Sequence, residues 1–383
     1  MSGIYIHIPF CKQACHYCDF HFSTSLKKKD EMVLALAKEI SLRKNELLDC
    51  ARSDSKIETI YFGGGTPSIL EVEDLRFLID EVYKNYNVVE NPEITVEANP
   101  DDLTEERIVE LSKNKVNRLS IGIQSFFEDD LQLMNRAHNS EEASKCLEIA
   151  SQYFDNISLD LIYGIPGSSN EKWKQNIEKA LSFGIPHISS YALTVEPKTA
   201  LDKFIKKGII KQPDDEVAQE QFHILVETLQ ENGFVHYELS NFGKENYFSK
   251  NNSAYWLGKN YIGIGPSAHS YDGVNRGWNV SNNSLYIKSI QENKVPIETE
   301  KLTITDRYNE YIMTGLRTIW GVSLERIEKD FGKIYLDYLN KEAKRFIEDE
   351  LLIIENNVLR ATKKGKFLCD GIASDLFLVN LDK

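Results

Sequence analysis

Apolar and polar positions in the first 240 residues follow two alternating patterns, one typical of buried strands and one typical of helices. Short β-branched runs predict strands at 3–8, 57–62, 93–98, 117–123, 156–163 and 187–194. Apolar residues at three- to four-residue spacing predict helices at 30–48, 71–86, 104–113, 140–153 and 170–183. This alternation indicates a parallel sheet, with its chemistry at the carboxyl ends of the strands. It fits either an open, partial barrel or a doubly wound sheet, and the pattern alone leaves both open.

The pattern changes near residue 240, where the strand–helix alternation ends. An Asn- and aromatic-rich stretch at 241–300 is interpreted as a connecting segment after a core at 1–240. Residues 301–383 are predicted to form a smaller C-terminal helical and winged domain. Its predicted elements are helices at 304–317, 322–330 and 333–348 and strands at 351–354 and 357–360.

Charge and hydropathy exclude several classes of protein. A net charge of -14 argues against nucleic-acid binding, which requires clustered Lys and Arg. No apolar run is long enough to span a bilayer, and a strand begins within three residues of Met1, where a signal peptide would stand. These features predict a cytoplasmic protein without a transmembrane segment.

Three of the six cysteines lie close together in "YIHIPFCKQACHYCDFHFS", directly after the first strand. Cys11, Cys15 and Cys18 are too few for a closed structural zinc site, although His16 and His21 keep zinc open as an alternative. A [4Fe–4S] cluster accounts better for three ligands, because its fourth iron can remain open for a ligand with amino and carboxylate groups. The remaining cysteines stand singly and are expected to be small structural residues: Cys50, Cys146 and Cys369.

This CxxxCxxC loop after the first strand resembles the signature of the radical S-adenosylmethionine superfamily. "YFGGGTP" at 61–67 follows the second strand and is similar to the superfamily's glycine motif, which meets the methionine amino group. Its glycines are expected to let backbone N–H groups approach a ligand. The resemblance implies an α/β fold with a partial (β/α)6 TIM-like barrel, a [4Fe–4S] cluster on the three cysteines, and S-adenosylmethionine on its open iron.

Further motifs follow in order at successive strand ends: "TVEANP", "SIGIQSF", "MNRAH", "ISLDLIYGIPG" and "SSYALTVEP". Together they resemble the coproporphyrinogen-dehydrogenase branch of the superfamily. Hydroxyl and ammonium donors suit the carboxylates of this set, and a carboxylate suits its arginine. The resemblance implies cofactor contacts at Tyr5, Tyr17, Gly64, Gly65, Thr66, Glu97, Gln124, Arg136, Asp160, Ala192 and His269.

Two families of this branch differ at the N-terminus. The dehydrogenase, which decarboxylates porphyrinogen propionates, carries an N-terminal extension and a further cysteine two residues after the third. Here ten residues precede Cys11 and Phe20 stands at the corresponding position. The "CDF" ending and "NNSAYWLGKNYIGIGPSAHSY" at 251–271 instead resemble the HemW family of haem chaperones.

In the HemW family an HNxxYW pattern is associated with haem binding. Asn252, Tyr255 and Trp256 match it and are possible haem contacts, whereas Asn251 replaces the leading histidine. Because asparagine cannot replace imidazole on iron, either another residue ligates haem or aromatic burial alone holds it. The nearest histidines in sequence are His236 and His269.

Two functions therefore stand. The first is a haem chaperone that binds haem together with the cluster and S-adenosylmethionine and transfers haem to a respiratory acceptor protein, with peripheral association to a membrane-bound acceptor as one possibility. The second is a radical enzyme acting on a porphyrinogen. Phe20 and the short N-terminus favour the chaperone, so enzymatic activity is left open and coproporphyrinogen dehydrogenation is not expected.

Overall fold

The computed structural model describes residues 2–45 and 56–379, and a 12-stranded mixed sheet organises most of them. The strands are β1 (Ser2–Ile8), β2 (Ile57–Gly64), β3 (Val88–Ala98), β4 (Arg118–Gln124), β5 (Ile157–Tyr163), β6 (His187–Ala192), β7 (Val235–Glu238), β8 (Asn241–Gly243), β9 (Asn260–Ile264), β10 (His269–Tyr271), β11 (Asn275–Asn279), β12 (Ile297–Lys301), β13 (Val322–Ser323), β14 (Leu352–Glu355) and β15 (Val358–Ala361).

Helices form in the segments between these strands and after the last one. They are α1 (Lys29–Leu42), α2 (Val72–Asn85), α3 (Glu105–Ser112), α4 (Glu128–Leu133), α5 (Ser140–Ala150), α6 (Asn170–Ser182), α7 (Ala200–Lys206), α8 (Asp215–Glu231), α9 (Lys250–Trp256), α10 (Asn283–Gln291), α11 (Ile304–Leu316), α12 (Leu324–Phe331), α13 (Lys333–Glu348) and α14 (Cys369–Asp375).

The order of the strands decides between the two predicted architectures. Strands β1 to β6 lie side by side in chain order and pair in parallel. Because strand–helix–strand crossovers are right-handed, successive steps in one direction place their helices on one face of the sheet. A doubly wound sheet would need a reversal of order within this series. The partial barrel is therefore confirmed, and the described sheet stays open, with β12 and β7 at its edges.

The two faces of the sheet carry different side chains. In β1, Ile4, Ile6 and Ile8 are fully buried in the core beneath the helices. Tyr5 and His7 alternate with them and point to the opposite, concave face, because successive strand side chains alternate. The strand-end side chains Glu97 and Asp160 converge on this face.

All six predicted strands and the five predicted helices of the core form within a few residues of their expected bounds, apart from the predicted helix end at 43–48. Helix α1 ends at Leu42, and residues 46–48 lie outside the described residues.

The stretch 241–300 differs from its interpretation as a connecting segment. It supplies strands β8 to β12, of which β9 pairs in parallel with β1 and extends the sheet on that side. These strands are short and rich in Asn, Gly and aromatic residues, so their apolar alternation is weak and the sequence pattern does not reveal them.

The C-terminal domain has a core of its own, in which α11 to α14 surround the three-stranded sheet β13–β15–β14. This confirms the predicted helical and winged architecture. The domain also contacts the main sheet at its β7 edge. The Ile319 N–H donates to the Tyr237 carbonyl at 3.0 Å, and the Phe367 and Phe222 ring centroids lie 5.4 Å apart. In the part of the chain that the structure describes, no helix has the length and apolar character needed to cross a bilayer.

Candidate cofactor cavity

The cysteine loop is fixed at both ends by backbone hydrogen bonds. The N–H of Cys11 donates to the Ser23 carbonyl at 3.1 Å, and the N–H of Thr66 donates to the Phe10 carbonyl at 2.7 Å. Farther along the loop, the N–H of His16 donates to the Met134 carbonyl at 3.0 Å. The loop is therefore held against the segments that follow β2 and α4 before any ligand binds.

The three thiols are half-buried and free of disulfides. Thr66 Oγ1 donates to Cys11 Sγ at 3.5 Å, and Arg136 Nη1 donates to Cys15 Sγ at 3.4 Å. Burial raises the pKa of Cys18 to about 11 and also raises the pKa of Cys11. A thiol becomes an iron ligand as the thiolate, so cluster assembly must displace these protons.

The two nearby histidines do not complete a zinc site. His16 Nδ1 lies 2.8 Å from the Leu133 carbonyl oxygen, and His21 Nε2 lies 2.7 Å from Asn283 Oδ1. Over residues 2–45 and 56–379, no group of three or more His, Cys, Asp or Glu side chains is arranged to hold a single metal ion. Three thiols that line one cavity wall fit a [4Fe–4S] cluster, because each thiolate then takes a different iron.

The glycine segment after β2 packs tightly against the first strand and the cysteine loop. Gly64 has φ of 107°, and an added Cβ would lie 2.4 Å from His7 Nδ1. The Gly64 N–H donates to Glu97 Oε2 at 3.3 Å, and the Gly65 N–H donates to the Ile8 carbonyl at 2.9 Å. In this structure these two N–H groups hold the site together, whereas the sequence predicted that they would be free to approach a ligand.

Replacing Gly64 by alanine is expected to destabilise the fold. A positive φ alone costs a non-glycine residue about 1–3 kcal/mol, and contact with the His7 ring adds to this. Gly167→Ala is the matched control, because Gly167 has φ of 84° and nothing lies within 4 Å of its added Cβ. Chemical denaturation should show a larger loss of unfolding free energy for Gly64→Ala; equal losses would show that the His7 contact costs nothing.

Two half-buried carboxylates, Glu97 and Asp160, face the cavity from β3 and β5. Glu97 Oε1 accepts from the Tyr61 hydroxyl at 2.8 Å, and Asp160 Oδ1 accepts from the Ser120 hydroxyl at 3.4 Å. Burial raises the pKa of Glu97 to about 7 and that of Asp160 to about 6. No Lys, Arg or His forms an ion pair with either within the described ranges. Such a pair of half-buried carboxylates provides acceptors for a cationic or hydroxyl-bearing ligand.

Arg136 is fixed by groups of the protein itself. Its Nη2 donates to Asn99 Oδ1 at 2.6 Å and to the Gly122 carbonyl at 2.9 Å, and its Nη1 reaches Cys15. The buried Nε has no hydrogen-bond partner among the described residues. The guanidinium therefore places a fixed positive charge beside the cysteine loop, with one N–H left for a ligand.

These groups surround one cavity of about 470 Å³ at the carboxyl ends of the parallel strands. The predicted residues that line it are Cys11, Cys15, Cys18, Tyr17, Gly64, Gly65, Thr66, Glu97, Gln124, Arg136, Asp160 and Ala192. Tyr5 and His269 are not among the lining residues. Sequence analysis missed Asn99, Ser120 and Tyr191, which also line it. Ser120 and Tyr191 lie on β4 and β6, so strand alternation is the signal that could have found them.

Helix α9, which carries the possible haem contacts, lies against the sheet. The Glu93 carboxylate accepts from the N–H groups of Lys250 and Asn251, both at 3.0 Å, as suits a helix N-terminus. Asn251 is only 3% exposed, and its Oδ1 accepts from the Thr59 hydroxyl at 2.9 Å. Position 251, where the family pattern has histidine, therefore faces strand β2 and lines neither of the two cavities.

The three matched residues of α9 differ in their surroundings. Tyr255 lines a second cavity and packs edge-on against Tyr261 at a centroid distance of 4.6 Å. Trp256 lies beneath the guanidinium of Arg317 at 4.9 Å, and the side chain of Asn252 lines neither cavity.

The two candidate histidines also differ. His236 is buried, with Nε2 3.0 Å from the Leu239 carbonyl oxygen and Nδ1 3.0 Å from Lys366 Nζ. Both its ring nitrogens are thus occupied. His269 is exposed on β10, and its ring nitrogens make no hydrogen bond within residues 2–45 and 56–379. Burial of part of the ring lowers the pKa of His269, so the imidazole is neutral near pH 7.

Comparison with known proteins gives consistent matches. Residues 5–180 match the sequence profile of the Radical SAM superfamily, and residues 302–368 match that of the HemN C-terminal domain. The chain is 36% identical to the Bacillus subtilis protein named Heme chaperone HemW, over 96% of this chain and 97% of that protein. It is 32% identical to the Lactococcus lactis protein of the same name, over 97% of this chain and 98% of that protein. The structure of coproporphyrinogen III oxidase HemN from Escherichia coli superposes with a TM-score of 0.84 at 22% identity, covering 98% of this chain and 90% of that one.

Proposed function

The chain belongs to the HemW family of the Radical SAM superfamily, and from this premise we propose that it is a haem chaperone. It would bind haem, hold a [4Fe–4S] cluster and S-adenosylmethionine, and pass haem to an acceptor protein of respiration. The observation that carries the proposal is similarity over nearly the whole chain to relatives with that name, together with an intact thiol-lined cavity.

Residues of the cavity suit the two cofactors of the superfamily. Cys11, Cys15 and Cys18 would each hold one iron of the cluster, which would leave its fourth iron for the amino and carboxylate groups of S-adenosylmethionine. Glu97 and Asp160 would accept hydrogen bonds from the ligand's amino and hydroxyl groups. The Nε–H of Arg136, which has no hydrogen-bond partner among the described residues, would be left to donate to a carboxylate.

Phe20 favours the chaperone over the porphyrinogen enzyme. It lines the cavity at the position where the dehydrogenase family carries its further cysteine, and it is 70% exposed. An exposed phenyl ring has no chemistry to replace a thiol, but it can bury against an apolar ligand or an acceptor protein. The fold similarity to coproporphyrinogen III oxidase agrees with either function and decides nothing between them.

An anaerobic incubation tests the two functions directly. Reconstituted protein is mixed with S-adenosylmethionine, a reductant and coproporphyrinogen III, and in parallel with haem. We expect saturable haem binding, transfer of haem to the haem-free acceptor membrane fraction, and no vinyl porphyrinogen product. Vinyl product without haem binding would overturn the chaperone and support the dehydrogenase.

His269 is the side chain that we propose as an iron ligand, because its neutral imidazole is unengaged and Asn251 cannot serve. His269→Ala should shift the Soret band of the haem complex and weaken haem binding. The control is His223→Ala, since His223 lies on α8, away from the concave face. An unchanged Soret band in His269→Ala would place the iron ligand elsewhere.

A further inference from the structure

A second cavity, of about 810 Å³, lies between strands β9–β11 of the main sheet and helices α11 and α12 of the C-terminal domain. We call it the tyrosine cleft. Its walls include Tyr255, Tyr261, Tyr271, Tyr311, Arg276 and Arg307. Cavities of this size hold small-molecule ligands, and aromatic walls suit a flat apolar one.

The tyrosine cleft continues the concave face that carries the cofactor cavity. Tyr261 pairs with Gly3 and Gly263 pairs with Tyr5, so Tyr261 and Tyr5 point to the same side of the sheet. Tyr271 pairs with Tyr261 and with Arg276, which places these three side chains in one row across β9, β10 and β11. A ligand in the cleft therefore lies on the same face as S-adenosylmethionine would.

Tyr255 stands between the two cavities. Its ring lines the cleft and packs against Tyr261. On its other side it lies near Tyr5 and Glu97. Burial raises the pKa of Tyr5, and the charges of Glu97 and Tyr255 raise it further. Tyr255 therefore lines the cleft and lies close to Glu97, which lines the cofactor cavity.

Most charged groups of the cleft are paired. The Arg276 guanidinium contacts the Glu310 carboxylate, and Arg326 Nε lies 3.2 Å from Asp330 Oδ2. Arg307, on α11, makes no ion pair within the described ranges, and its buried Nε has no hydrogen-bond partner there. An arginine whose N–H groups are left without acceptors at the side of an aromatic cavity is suited to an anionic ligand.

We propose that the tyrosine cleft binds the haem plate between its aromatic walls, with Arg307 donating to a propionate. This inference rests on the proposed haem chaperone function and assigns the place and the anion partner that the motif on α9 leaves open. Haem is a large apolar plate with two carboxylates, which matches a cleft with tyrosine walls and an unpaired cation. His269 lies two residues from Tyr271 on β10, about 7 Å along the same face, and is not among the residues that line the cleft.

The cofactor cavity is a poorer site for haem. It is smaller, at about 470 Å³ against about 810 Å³. Its half-buried carboxylates Glu97 and Asp160 form no ion pair among the described residues and would repel propionates, whereas Glu310 and Asp330 of the cleft are paired with arginines. The volume of the cofactor cavity is also needed for the cluster and S-adenosylmethionine.

The test compares haem with haem dimethyl ester, in which both carboxylates are masked. Full-length protein with a reconstituted cluster is titrated with each ligand, and Soret absorbance is followed. Wild-type protein should bind haem more tightly than the diester. Arg307→Gln should weaken haem binding about 10- to 100-fold and leave diester binding unchanged, because only the charged hydrogen bond is lost. Arg307→Lys keeps the positive charge but loses the paired N–H donors of the guanidinium, so its haem affinity should lie between those of wild type and Arg307→Gln.

Arg345→Gln is the matched control, since Arg345 is an exposed arginine of the same domain that pairs with Asp375 at 2.7 Å outside the cleft. S-adenosylmethionine affinity and thermal midpoint report whether each variant is folded. If wild type binds haem and the diester with equal affinity, or if the Arg307 variants bind haem like wild type, haem binding in the tyrosine cleft is wrong. Neither result contradicts the proposed haem chaperone function. A wild-type protein without saturable haem binding would overturn both.

Discussion

Replacing any one of Cys11, Cys15 and Cys18 by alanine is expected to abolish the iron–sulfur cluster. Anaerobically reconstituted wild type should contain about four irons per chain, as a [4Fe–4S] cluster requires. The three thiols lie on one loop and line one cavity, and neither neighbouring histidine faces it as a substitute ligand. Loss of one thiolate therefore leaves two protein ligands, and the iron content and the charge-transfer absorbance of the cluster should both collapse.

The other cysteines provide controls for this loss. Cys146 and Cys369 are buried in α5 and α14, away from the cavity, and their alanine variants should retain the iron. Cys50 lies outside the described residues, and its alanine variant is also expected to retain the iron. Full iron content in any variant of the loop would show that the cluster has a different ligand set.

Glu97→Gln is expected to weaken S-adenosylmethionine binding by about 1.5–3 kcal/mol, the range for hydrogen bonds to a charged group. The change keeps the size of the side chain but removes the charge that faces the cavity. Glu97 Oε1 accepts from the Tyr61 hydroxyl and Oε2 accepts from the Gly64 N–H, so the single amide oxygen of glutamine can keep one of these two hydrogen bonds. Isothermal calorimetry on the cluster-loaded protein measures the loss, and Asp160→Asn should show a loss of the same kind.

The pH dependence of this binding provides an independent readout. Burial raises the pKa of Glu97 to about 7, so much of the carboxyl is protonated in the free protein below that pH. A cationic ligand binds the carboxylate form, so affinity should rise as pH increases toward 7, with release of a proton on binding. Glu97→Gln should flatten this rise, and Glu73→Gln, on the exposed side of α2, should not. If the affinity of Glu97→Gln for S-adenosylmethionine rises with pH as steeply as that of wild type, another group releases the proton on binding.

The strand–helix core and most of the cofactor cavity could be predicted from the sequence because both depend on local patterns. The helix-facing side chains of strands β1 to β6 are buried and are mostly β-branched or apolar, so the strand–helix alternation is clear in the sequence. Parallel strands end at one edge of a sheet, so strand-end residues such as Glu97 and Asp160 were expected to meet, and they do.

The remaining features depend on contacts between distant segments. The pairing of β9 with β1 joins residues more than 250 positions apart, and no local pattern encodes it. The same holds for Glu93, which binds the start of α9, and for the groups that fix Arg136. The tyrosine cleft is assembled from three separate stretches of the chain, so its volume and its unpaired arginine are visible only once the domains are in contact.

The contact between the C-terminal domain and β7 also bears on how the chain is made. During synthesis, strand β7 gains its contacts with the C-terminal domain late. The Glu238–Thr318 bridge and the Ile319–Tyr237 hydrogen bond can form only after more than seventy further residues have been added to the chain. The ring contact between Phe222 and Phe367 forms later still, because Phe367 is near the end of the chain. Until then a growing chain presents an unpaired strand edge beside an uncovered aromatic ring, the combination through which nascent chains aggregate. A gene fragment ending near residue 300 should therefore yield insoluble protein, although it encodes every residue of the cofactor cavity.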